Sequence, residues 1–492
     1  MYLLSIIFLL LHFISALSPD PRLWGVDSWS YLPGVFSYLF LVAGLLPLVP
    51  KINDGIRSIF DKISDAVVKI PFLILTLIFG VLLYTFSEEA FLSGDGLLRI
   101  RNMTAGSYII AAEPLETFLH QIIYDLVNSI ISVSSESVYR FISILTGMLT
   151  FYLSAGYIKD LFSDQKHRNF MAMMLLTSGA VMLFFGYVET YSINAGVLII
   201  YFLSTSKMLV NRKFSYIPMI TISFAVFLHT SSFVFLPTAM FAYYSLRKET
   251  EFSSTGIIRL ISIFIAFALF TIFAVYISNY PFTKLLSDLT SESHILPLFG
   301  NDQTYGIFSP AHLIDLINLL FLTAPIVIAL PVILIKLPGV GFTSELKFLG
   351  ISSLLALFFI IIIKSDLGMA RDWDLFALAA YPITIFSVTA LIKIYDKSVY
   401  RVALPLFVIC LVHTAPWILL NSSGNLAVER AERLAESSHW TGHSKAILFD
   451  AVANEHYKNN QPGKALELSI KAYNNERDDR FLFNIANGYS NI

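Results

Sequence analysis

Charged residues gather in one short stretch of the chain, Phe91 to Arg101, which follows an apolar segment long enough to cross a membrane. Asp95 lies there between two glycines, and glycine lets a backbone approach a ligand closely because it has no side-chain bulk. A carboxylate in that position can take a proton from an acceptor. Arg99 and Arg101 follow, and guanidinium groups are planar, permanently charged donors that suit phosphate oxygens. The stretch predicts either a site that handles a phosphate or a solvated turn whose charges set the topology.

Two further acidic residues are expected in the same compartment. Glu113 precedes a proline and an apolar helix, and Glu189 lies in a turn of a few residues between two apolar segments. Converging carboxylates can deprotonate an acceptor or hold a divalent cation. His229 ends another apolar segment and is expected beside Glu189. Each has a plainer alternative: Glu189 is a simple interfacial turn residue, and His229 is a structural hydrogen-bonding group.

Two later segments add candidates for the same face. His312 and Asp315 stand at positions i and i+3 of a helix, a spacing that permits a metal pair or a substrate contact and that capping also explains. The short loop from Lys364 to Asp374 holds five charges and a tryptophan. We expect Arg371 to bind an anionic group there, beside Asp372. The alternative is a structural ion pair between Arg371 and a neighbouring aspartate.

The composition indicates that most of this chain lies in a membrane rather than in water. Hydrophobic residues make up 56% of the chain and charged residues 14%, against roughly 25% charged in soluble domains. Apolar segments of about 16 to 24 residues recur, which is the length of a helix that crosses about 30 Å of hydrocarbon. Open strands would leave backbone groups unpaired in lipid. We predict an all-α polytopic bundle of about thirteen transmembrane helices.

Other function classes are disfavoured by composition and motifs. The net charge of −2 gives no sign of a nucleic-acid partner. The single cysteine, Cys410, excludes an internal disulfide and a cysteine-based metal site. Soluble-nucleotide chemistry is disfavoured because the chain has no phosphate-cradling glycine loop, zinc-spaced histidine motif or nucleophile elbow.

Basic residues set the expected orientation of the bundle. Lysine and arginine concentrate in the loops on one side, which the positive-inside rule assigns to the cytoplasm, together with the N-terminus. The first span is a signal peptide or a retained helix, and we expect it to be retained because no small-residue cleavage site precedes Pro19. The predicted spans are 1–17, 30–50, 70–87, 137–158, 169–187, 190–205, 215–230, 231–246, 257–278, 312–335, 348–364, 374–393 and 400–420.

The opposite side receives the unusual polar residues. Its segments are 18–29, 88–136, 187–191, 279–311, 365–373 and everything after residue 420. The expected site is thus at the extracytoplasmic face of an inner or plasma membrane, and residues 88–136 form the first long outer loop.

The last segment is a candidate second domain. Residues 1–420 form the transmembrane domain, and residues 421–492 form a polar, helix-forming extracytoplasmic tail. Small and aromatic residues around the turn Asn459–Gly463 match the pattern of a tetratricopeptide helix pair, and Phe483–Tyr489 is similar to the start of a second unit. Such units bury their faces only by stacking. A partner helix or further residues would complete the array; the alternative is a plain helical hairpin.

The order of these features resembles the polytopic GT-C glycosyltransferases, such as the protein O-mannosyltransferases and the aminoarabinose transferases of lipid A. The resemblance covers roughly residues 70 to 250. The matching elements are Asp95, then Arg99 and Arg101, then Glu113-Pro114-Leu115, then Glu189 through Lys213, and Phe224 through Pro237 with His229. The family's frequent acidic pair is reduced here to Asp95 followed by Gly96, and two extra spans precede the loop.

The resemblance implies a membrane glycosyltransferase. Such an enzyme moves a sugar from a polyprenyl-phosphate carrier to a glycan, lipid or protein acceptor at the outer face. The implied site residues are Asp95 as general base, Arg99, Arg101 and Arg371 at the phosphate leaving group, Glu113 and Glu189 at sugar hydroxyls or a cation, and His229, His312 and Asp372 as further substrate contacts. The cofactor is left open, with a divalent cation as one alternative.

Three other classes remain as alternatives. A transporter or flippase predicts ionisable residues near mid-membrane and inverted repeats, whereas the charges here cluster at outer helix ends. A polysaccharide ligase or polymerase would also use a lipid-linked donor. A membrane scaffold predicts no convergent site, so Asp95 and Arg371 would lie far apart.

Overall fold

The computed structural model describes residues 1–106, 109–247, 254–290, 294–300, 306–437 and 440–490. Within these ranges the chain is helical or irregular, apart from an isolated antiparallel bridge between Ile295 and Ile363. The helices of the first half are α1 (Tyr2–Leu17), α2 (Gly34–Leu45), α3 (Pro50–Val67), α4 (Phe72–Thr85), α5 (Gly96–Thr104), α6 (Pro114–Asn128), α7 (Ser135–Leu161), α8 (Gln165–Leu176), α9 (Ser192–Val210), α10 (Ile217–Leu228) and α11 (Leu236–Arg247).

The second half continues in the same way. Its helices are α12 (Ser254–Ile277), α13 (Phe282–Thr290), α14 (Pro310–Thr323), α15 (Leu330–Lys336), α16 (Ser344–Ile362), α17 (Trp373–Phe376), α18 (Ala380–Tyr395), α19 (Tyr400–Asn421), α20 (Gly424–Ala435), α21 (Gly442–Lys458), α22 (Pro462–Asn475) and α23 (Asp479–Ser490). Short 3₁₀ turns occur at Pro21–Leu23, Asp27–Tyr31, Leu46–Leu48, Gly179–Phe184, Thr230–Phe235, Pro325–Ala329, Leu337–Gly339, Ala377–Ala379 and Asp396–Ser398.

Six helical stretches among the described residues are long and apolar enough to cross a membrane. They are Ser135–Leu161, Ser192–Val210, Gly256–Ile277, Ser344–Ile362, Trp373–Tyr395 and Tyr400–Asn421. Two bent pairs also pass that test, and α1, α4 and α10 are shorter apolar helices. With the apolar composition, these helices make the chain an integral membrane protein; the thirteen spans and their orientation remain predictions.

Several predicted spans are interrupted rather than continuous. The predicted span 30–50 becomes α2 and a 3₁₀ turn, followed by α3 at an angle of 95°. The predicted span 312–335 bends by 107° between Thr323 and Pro325, because proline has no N–H to continue the helix. The predicted span 169–187 leaves the α-helix after Leu176, and 231–246 begins in a 3₁₀ turn.

Two of these breaks pack against each other. Ser178 donates its hydroxyl to the carbonyl of Thr323 at 2.6 Å, which satisfies a carbonyl at the end of α14. A Cβ atom on Gly179 would lie 1.7 Å from the carbonyl oxygen of Leu322, so only glycine permits this approach. Interrupted helices in lipid need such partners for their free backbone groups.

The long helices carry the acidic loops to one end of the bundle and basic residues to the other. α7 begins where Ser135 contacts Thr104 at the end of α5, and α9 begins three residues after Glu189. Their last turns hold Lys159 and Lys207, and the last turn of α18 holds Lys393. Lys248, which also belongs to the basic loops in the sequence, lies outside the described residues.

The C-terminal tail is docked on the acidic end through a buried ion pair. Arg430 of α20 places its Nε 3.2 Å from both carboxylate oxygens of Asp27 and donates from Nη2 to the carbonyl of Trp24 at 3.0 Å. The carboxylate of Glu89 accepts from the N–H of Gly424 at 2.8 Å. The loop after α1, the loop after α4 and the tail therefore share one face.

The tail itself contains a helical hairpin, α21 and α22, followed by α23. Ala465 and Ala472 are fully buried where these helices meet, and Ala451 is nearly so. A Cβ on Gly488 would lie 2.5 Å from the hydroxyl of Tyr457, so α23 approaches the hairpin closely. The helix pair is present as predicted, while its identity as a tetratricopeptide repeat remains a prediction.

Replacing Arg430 by methionine should undock the tail. Methionine keeps much of the side-chain length but leaves the buried Asp27 carboxylate unpaired, which costs about 3–5 kcal/mol. We expect a lower unfolding temperature and faster limited proteolysis of the tail. The control is Arg477→Met, because Arg477 is exposed in the tail. Equal protease resistance in the wild type and the Arg430 variant would show that this pair does not hold the tail.

Candidate active site

Arg99 is buried at the centre of a group of carboxylates, which we call the acidic cluster: Asp95, Glu113 and Glu189. Its Nη2 lies 2.9 Å from Oε1 of Glu113, and its Nε lies 3.0 Å from Oε2 of Glu189. Its Nη2 lies 3.9 Å from Oδ2 of Asp95. A charge buried in protein is stable only when it is paired. Arg99 thus forms ion-pair contacts with two buried glutamates and has a third carboxylate beside it.

Three helix starts place these side chains. Asp95 immediately precedes α5, so Arg99 follows in its first turn. Glu113 stands at the N-cap of α6, whose first residue is Pro114, and proline suits that position because its φ is already helical. Glu189 lies in the turn before α9 and accepts a hydrogen bond from the backbone N–H of Asp95. The cluster therefore depends on backbone geometry at the ends of elements.

Gly94 joins the first outer loop to the loop before α18. Its φ of +70° is left-handed, and a Cβ there would lie 2.4 Å from Oδ2 of Asp374 and 2.9 Å from Oε1 of Glu189. Its N–H donates to the carbonyl of Arg371 at 2.9 Å. Asp374 also accepts from the hydroxyl of Tyr187 at 2.9 Å. The loop that carries Asp95 is therefore in direct backbone contact with the loop that carries Arg371.

Asp95 is the accessible member of the acidic cluster. Its side chain is 37% exposed, whereas those of Glu113 and Glu189 are 4% and 1% exposed. Its carboxylate makes no capping hydrogen bond at the start of α5. An exposed carboxylate beside a buried guanidinium can reach a substrate hydroxyl without moving the network behind it.

Arg371 differs from Arg99 in having unused donors. It is 6% exposed, and among the described residues its Nε and Nη1 find no hydrogen-bond partner. It lines a small cavity with room of about 20 Å³, between Glu88, Phe91 and Ser93 of the first outer loop and Arg430 of the tail. A buried donor without a partner is unfavourable, so this cavity should attract an anion or water.

The ion pair foreseen as an alternative for Arg371 is not formed. Within the described residues, no Asp372 or Asp374 oxygen lies within 4 Å of its guanidinium nitrogens. Oδ2 of Asp372 instead accepts from the hydroxyl of Ser365 at 2.6 Å and from the N–H of Leu367 at 3.0 Å. Asp372 therefore shapes the loop, which leaves Arg371 available.

The glutamates that contact Arg99 have opposite pKa shifts. Burial raises the pKa of Glu189 to about 7, with Arg99 opposing it and Asp95 and Glu113 adding to it. Burial also acts to raise the pKa of Glu113, but Arg99 and His229 outweigh it and lower the value to about 2. Glu113 is therefore charged at neutral pH, while Glu189 titrates near neutrality.

The remaining expected residues divide between this site and elsewhere. His229 joins the cluster: its Nδ1 accepts from the N–H of Ser231 at 3.1 Å, and its Nε2 lies 3.6 Å from Oε1 of Glu113. His312 lies outside the network, with its Nε2 at 3.0 Å from the carbonyl oxygen of Ile361. The sequence predicted that His229 and His312 lie on the same face, but it did not show that only His229 contacts the acidic cluster.

Arg101 faces the tail rather than the acidic cluster. It is exposed on α5 and interacts electrostatically with Asp450 of α21, as Arg371 also does. Asp450 accepts a hydrogen bond from the side-chain amide of Asn484 at 2.7 Å. Arg101 thus lies between the site and the tail, where it can contact a ligand entering along this face.

Sequence reasoning missed two groups at the site. Glu88 is 2% exposed, and burial raises its pKa to about 8; it directly follows the predicted span 70–87, so its place at the span's end was the available signal. Thr190 donates its hydroxyl to Glu113 and adjoins Glu189 in sequence. Threonine suggests no such chemistry by itself.

The described residues contain no group of three or more His, Cys, Asp or Glu side chains arranged to hold a metal ion. The buried carboxylates point at the guanidinium of Arg99 instead. The divalent cation that the sequence left open therefore has no candidate ligand set in this part of the chain.

Comparisons with known proteins give two solved structures of the same enzyme. No family model and no curated protein matches the chain. The chain is similar to ArnT from Cupriavidus metallidurans bound to undecaprenyl phosphate, with 12% identity and a TM-score of 0.47 over 85% of this chain and 76% of that one. It is also similar to ArnT from Cupriavidus metallidurans in the apo state, with 13% identity and a TM-score of 0.43 over 86% of this chain and 77% of that one.

Gly94→Ala should disrupt the site far more than a matched substitution nearby. Alanine at φ +70° costs about 1–2 kcal/mol of strain, and here its Cβ would also displace Asp374, which adds about 1–3 kcal/mol. Gly106→Ala is the control, because Gly106 has a φ of +73° with nothing within 4 Å of its Cβ position. Thermal unfolding in detergent measures both variants. Equal losses would mean that the contact with Asp374 is unimportant.

Glu88→Gln should change how stability depends on pH. The pKa of Glu88 is about 8 in the fold and about 4.3 in an unfolded chain. Between these values only the unfolded chain loses the proton, so the wild type loses stability as pH rises toward 8. Glutamine cannot ionise, so the variant should match the wild type near pH 4 and melt several degrees higher at pH 9. Glu136→Gln, an exposed position, is the control; parallel curves for wild type and Glu88→Gln would contradict the shift.

Proposed function

We propose that this protein transfers a sugar from a polyprenyl-phosphate donor to an acceptor hydroxyl at the extracytoplasmic face. The proposal rests on two side chains carried by loops that contact each other: an exposed carboxylate, and a buried guanidinium with unused donors among the described residues. Asp95 supplies the first and Arg371 the second, and the N–H of Gly94 bonds the two loops together at 2.9 Å. A base beside an anion site is what displacement of a phosphate leaving group requires.

Asp95 is the general base in this reaction. Its carboxylate takes the proton of the acceptor hydroxyl while the oxygen forms a bond to the anomeric carbon of the sugar. The bond between that carbon and the phosphate oxygen breaks, and the polyprenyl phosphate leaves with the electron pair. Asp95 suits the role because its backbone is fixed by Glu189 while its side chain stays open to solvent.

Arg371 stabilises the leaving phosphate. Its Nε and Nη1 are buried and without partners in the described chain, so they can donate charge-assisted hydrogen bonds to phosphate oxygens. Arg101, exposed on α5, adds positive charge nearby. Because Arg99 is already bonded to Glu113 and Glu189, we assign it to positioning the acidic cluster rather than to the phosphate.

The two glutamates are positioning residues in the same scheme. Glu113 and Glu189 hold Arg99 from two sides, and Glu189 also holds the N–H of Asp95. Their buried carboxylate oxygens are therefore engaged by the protein, which leaves the recognition of sugar hydroxyls to groups on the open side of Asp95. His229 is itself buried beside Glu113, so we assign it to the positioning residues as well.

One observation favours a transporter as the second candidate. His12 of α1 and His413 of α19 lie within the bundle, with Nε2 of the first 3.0 Å from Nδ1 of the second. Intramembrane ionisable pairs can serve proton or ion pathways. The two candidates predict different sensitive residues, since a transferase depends on Asp95 and a proton-coupled transporter on His413.

The test is sugar transfer from a radiolabelled polyprenyl-phosphate donor by the full chain in proteoliposomes. Asp95→Asn should lower the rate by about 10²–10⁴-fold, the usual contribution of a general base. Arg371→Met should lower the rate and weaken inhibition by added polyprenyl phosphate. Asp366→Asn is the control, because Asp366 is an exposed acid of the neighbouring loop.

Two results would overturn this function. Full activity in Asp95→Asn would show that Asp95 is not the general base. A folded wild type without turnover on any lipid-linked sugar, together with solute uptake that requires His413, would establish the transporter instead.

A further inference from the structure

A second cavity, of about 360 Å³, lies at the opposite end of the bundle from the acidic cluster. Its walls are the last turns of α7, α9, α11 and α18 and the first turn of α16. Six apolar side chains line it, among them Phe162, Leu209 and Leu246. Its size falls within the range of about 300–1,000 Å³ seen for small-molecule sites. Nothing in the proposed transfer reaction uses this cavity.

A buried carboxylate without hydrogen bonds lines the cavity. Glu345, in the first turn of α16, is 7% exposed. Among the described residues, neither a hydrogen bond nor an ion pair within 4 Å reaches its carboxylate. A buried carboxylate needs donors to offset its lost hydration. The cavity therefore presents an acceptor that the protein leaves unsatisfied.

A second buried polar group lines the same space. The hydroxyl oxygen of Thr389 is inaccessible to solvent and has no hydrogen-bond partner in the described chain. A threonine within a helix commonly bonds to the carbonyl four residues earlier, and Thr389 does not. Glu345 and Thr389 belong to different helices. Two groups without hydrogen-bond donors therefore line the same cavity, and their lack of partners is not explained by the geometry of one turn.

Positive charge stands beside these groups. Lys393, half-buried at the end of α18, donates to the hydroxyl of Thr343 at 3.0 Å and interacts electrostatically with Glu345 without an ion pair within 4 Å. Arg212 is exposed and also lines the cavity. The lining thus offers an acceptor in the interior, cations beside it and apolar walls.

We propose that this cavity binds a phosphate ester that carries a primary ammonium group, and that its source is the headgroup of phosphatidylethanolamine. The ammonium donates to Glu345 and to the hydroxyl of Thr389, while Lys393 binds the phosphate. The lipid is favoured over a soluble ester because six apolar side chains line the cavity. The helix ends also lie where headgroups occur: the 27 residues of α7 span about 40 Å, close to the full thickness of a bilayer.

The first measurement is the thermal stability of the delipidated full chain with added lipids, together with the number of lipids retained in native mass spectrometry. Phosphatidylethanolamine should raise the unfolding temperature, because a ligand that binds only the folded state stabilises it. Phosphatidylglycerol lacks the ammonium and phosphatidylcholine lacks its N–H donors, so both should have smaller effects. Free phosphoethanolamine should bind more weakly than the lipid.

Variants separate specific binding from general lipid effects. Glu345→Gln should weaken phosphatidylethanolamine binding at least about tenfold, the effect of one charge-assisted hydrogen bond, and leave phosphatidylglycerol unchanged. Lys393→Met should weaken both lipids. Lys347→Met is the control, since Lys347 is an exposed lysine of α16 outside the cavity lining. Without lipid, Glu345→Gln should be as stable as the wild type or more so, because it removes an unsatisfied buried charge.

Three results would overturn the proposal. Equal stabilisation by the three lipids would show that no headgroup is selected. Wild-type affinity for phosphatidylethanolamine in Glu345→Gln would remove the carboxylate from the site. Binding of free phosphoethanolamine as tight as that of the lipid would exclude the lipid as the source.

Discussion

The ion pairs of Arg99 hold together the end of the bundle that carries the acidic cluster. Its partners Glu113 and Glu189 stand 14 and 90 residues away in the chain, so one guanidinium joins the starts of α5, α6 and α9. Glu189 in turn fixes the backbone N–H of Asp95. The need to pair a buried charge therefore helps to fix the position of the loop that carries Asp95, together with the bond from the Gly94 N–H to the Arg371 carbonyl.

The contrast between two buried arginines explains how this face can be both rigid and reactive. Arg99 is bonded to carboxylates on two sides, whereas Arg371 has its carbonyl bonded to Gly94 and two of its side-chain donors unsatisfied. One guanidinium thus stabilises the fold, and the other remains free to interact with a ligand. Arg99 and Arg371 have different roles because the loops around Arg99 contain carboxylate acceptors, whereas Nε and Nη1 of Arg371 have no acceptor among the described residues.

The sequence predicted which residues share a compartment, and much less about which atoms bond. The predicted spans before Asp95, Glu189 and His229 all run toward the same side, and Glu113 lies in the loop that also holds Asp95. Their common face could therefore be predicted. The pairing of Arg99 with two glutamates could not be predicted. A guanidinium binds a phosphate and a carboxylate with similar geometry, so the sequence alone does not tell which of the two Arg99 contacts.

Helix breaks were equally hidden from the sequence. An apolar run is counted as continuous whatever its backbone does, and the close approach of Gly179 to the Leu322 carbonyl involves segments with no local signal of contact. Pro325 was a visible breaker within the predicted span 312–335, but proline within apolar helices is also tolerated, as at Pro405 and Pro416 of α19.

The ion pair between Asp27 and Arg430 has a consequence for biosynthesis. Its partners are 403 residues apart, and ribosomes add about 5–20 residues per second. Asp27, in the loop after α1, is therefore translated roughly 20–80 s before the arginine that pairs with it. Because Arg430 follows α19 in the chain, the contact between the loop after α1 and the tail can form only after all the apolar helices up to α19 have been translated.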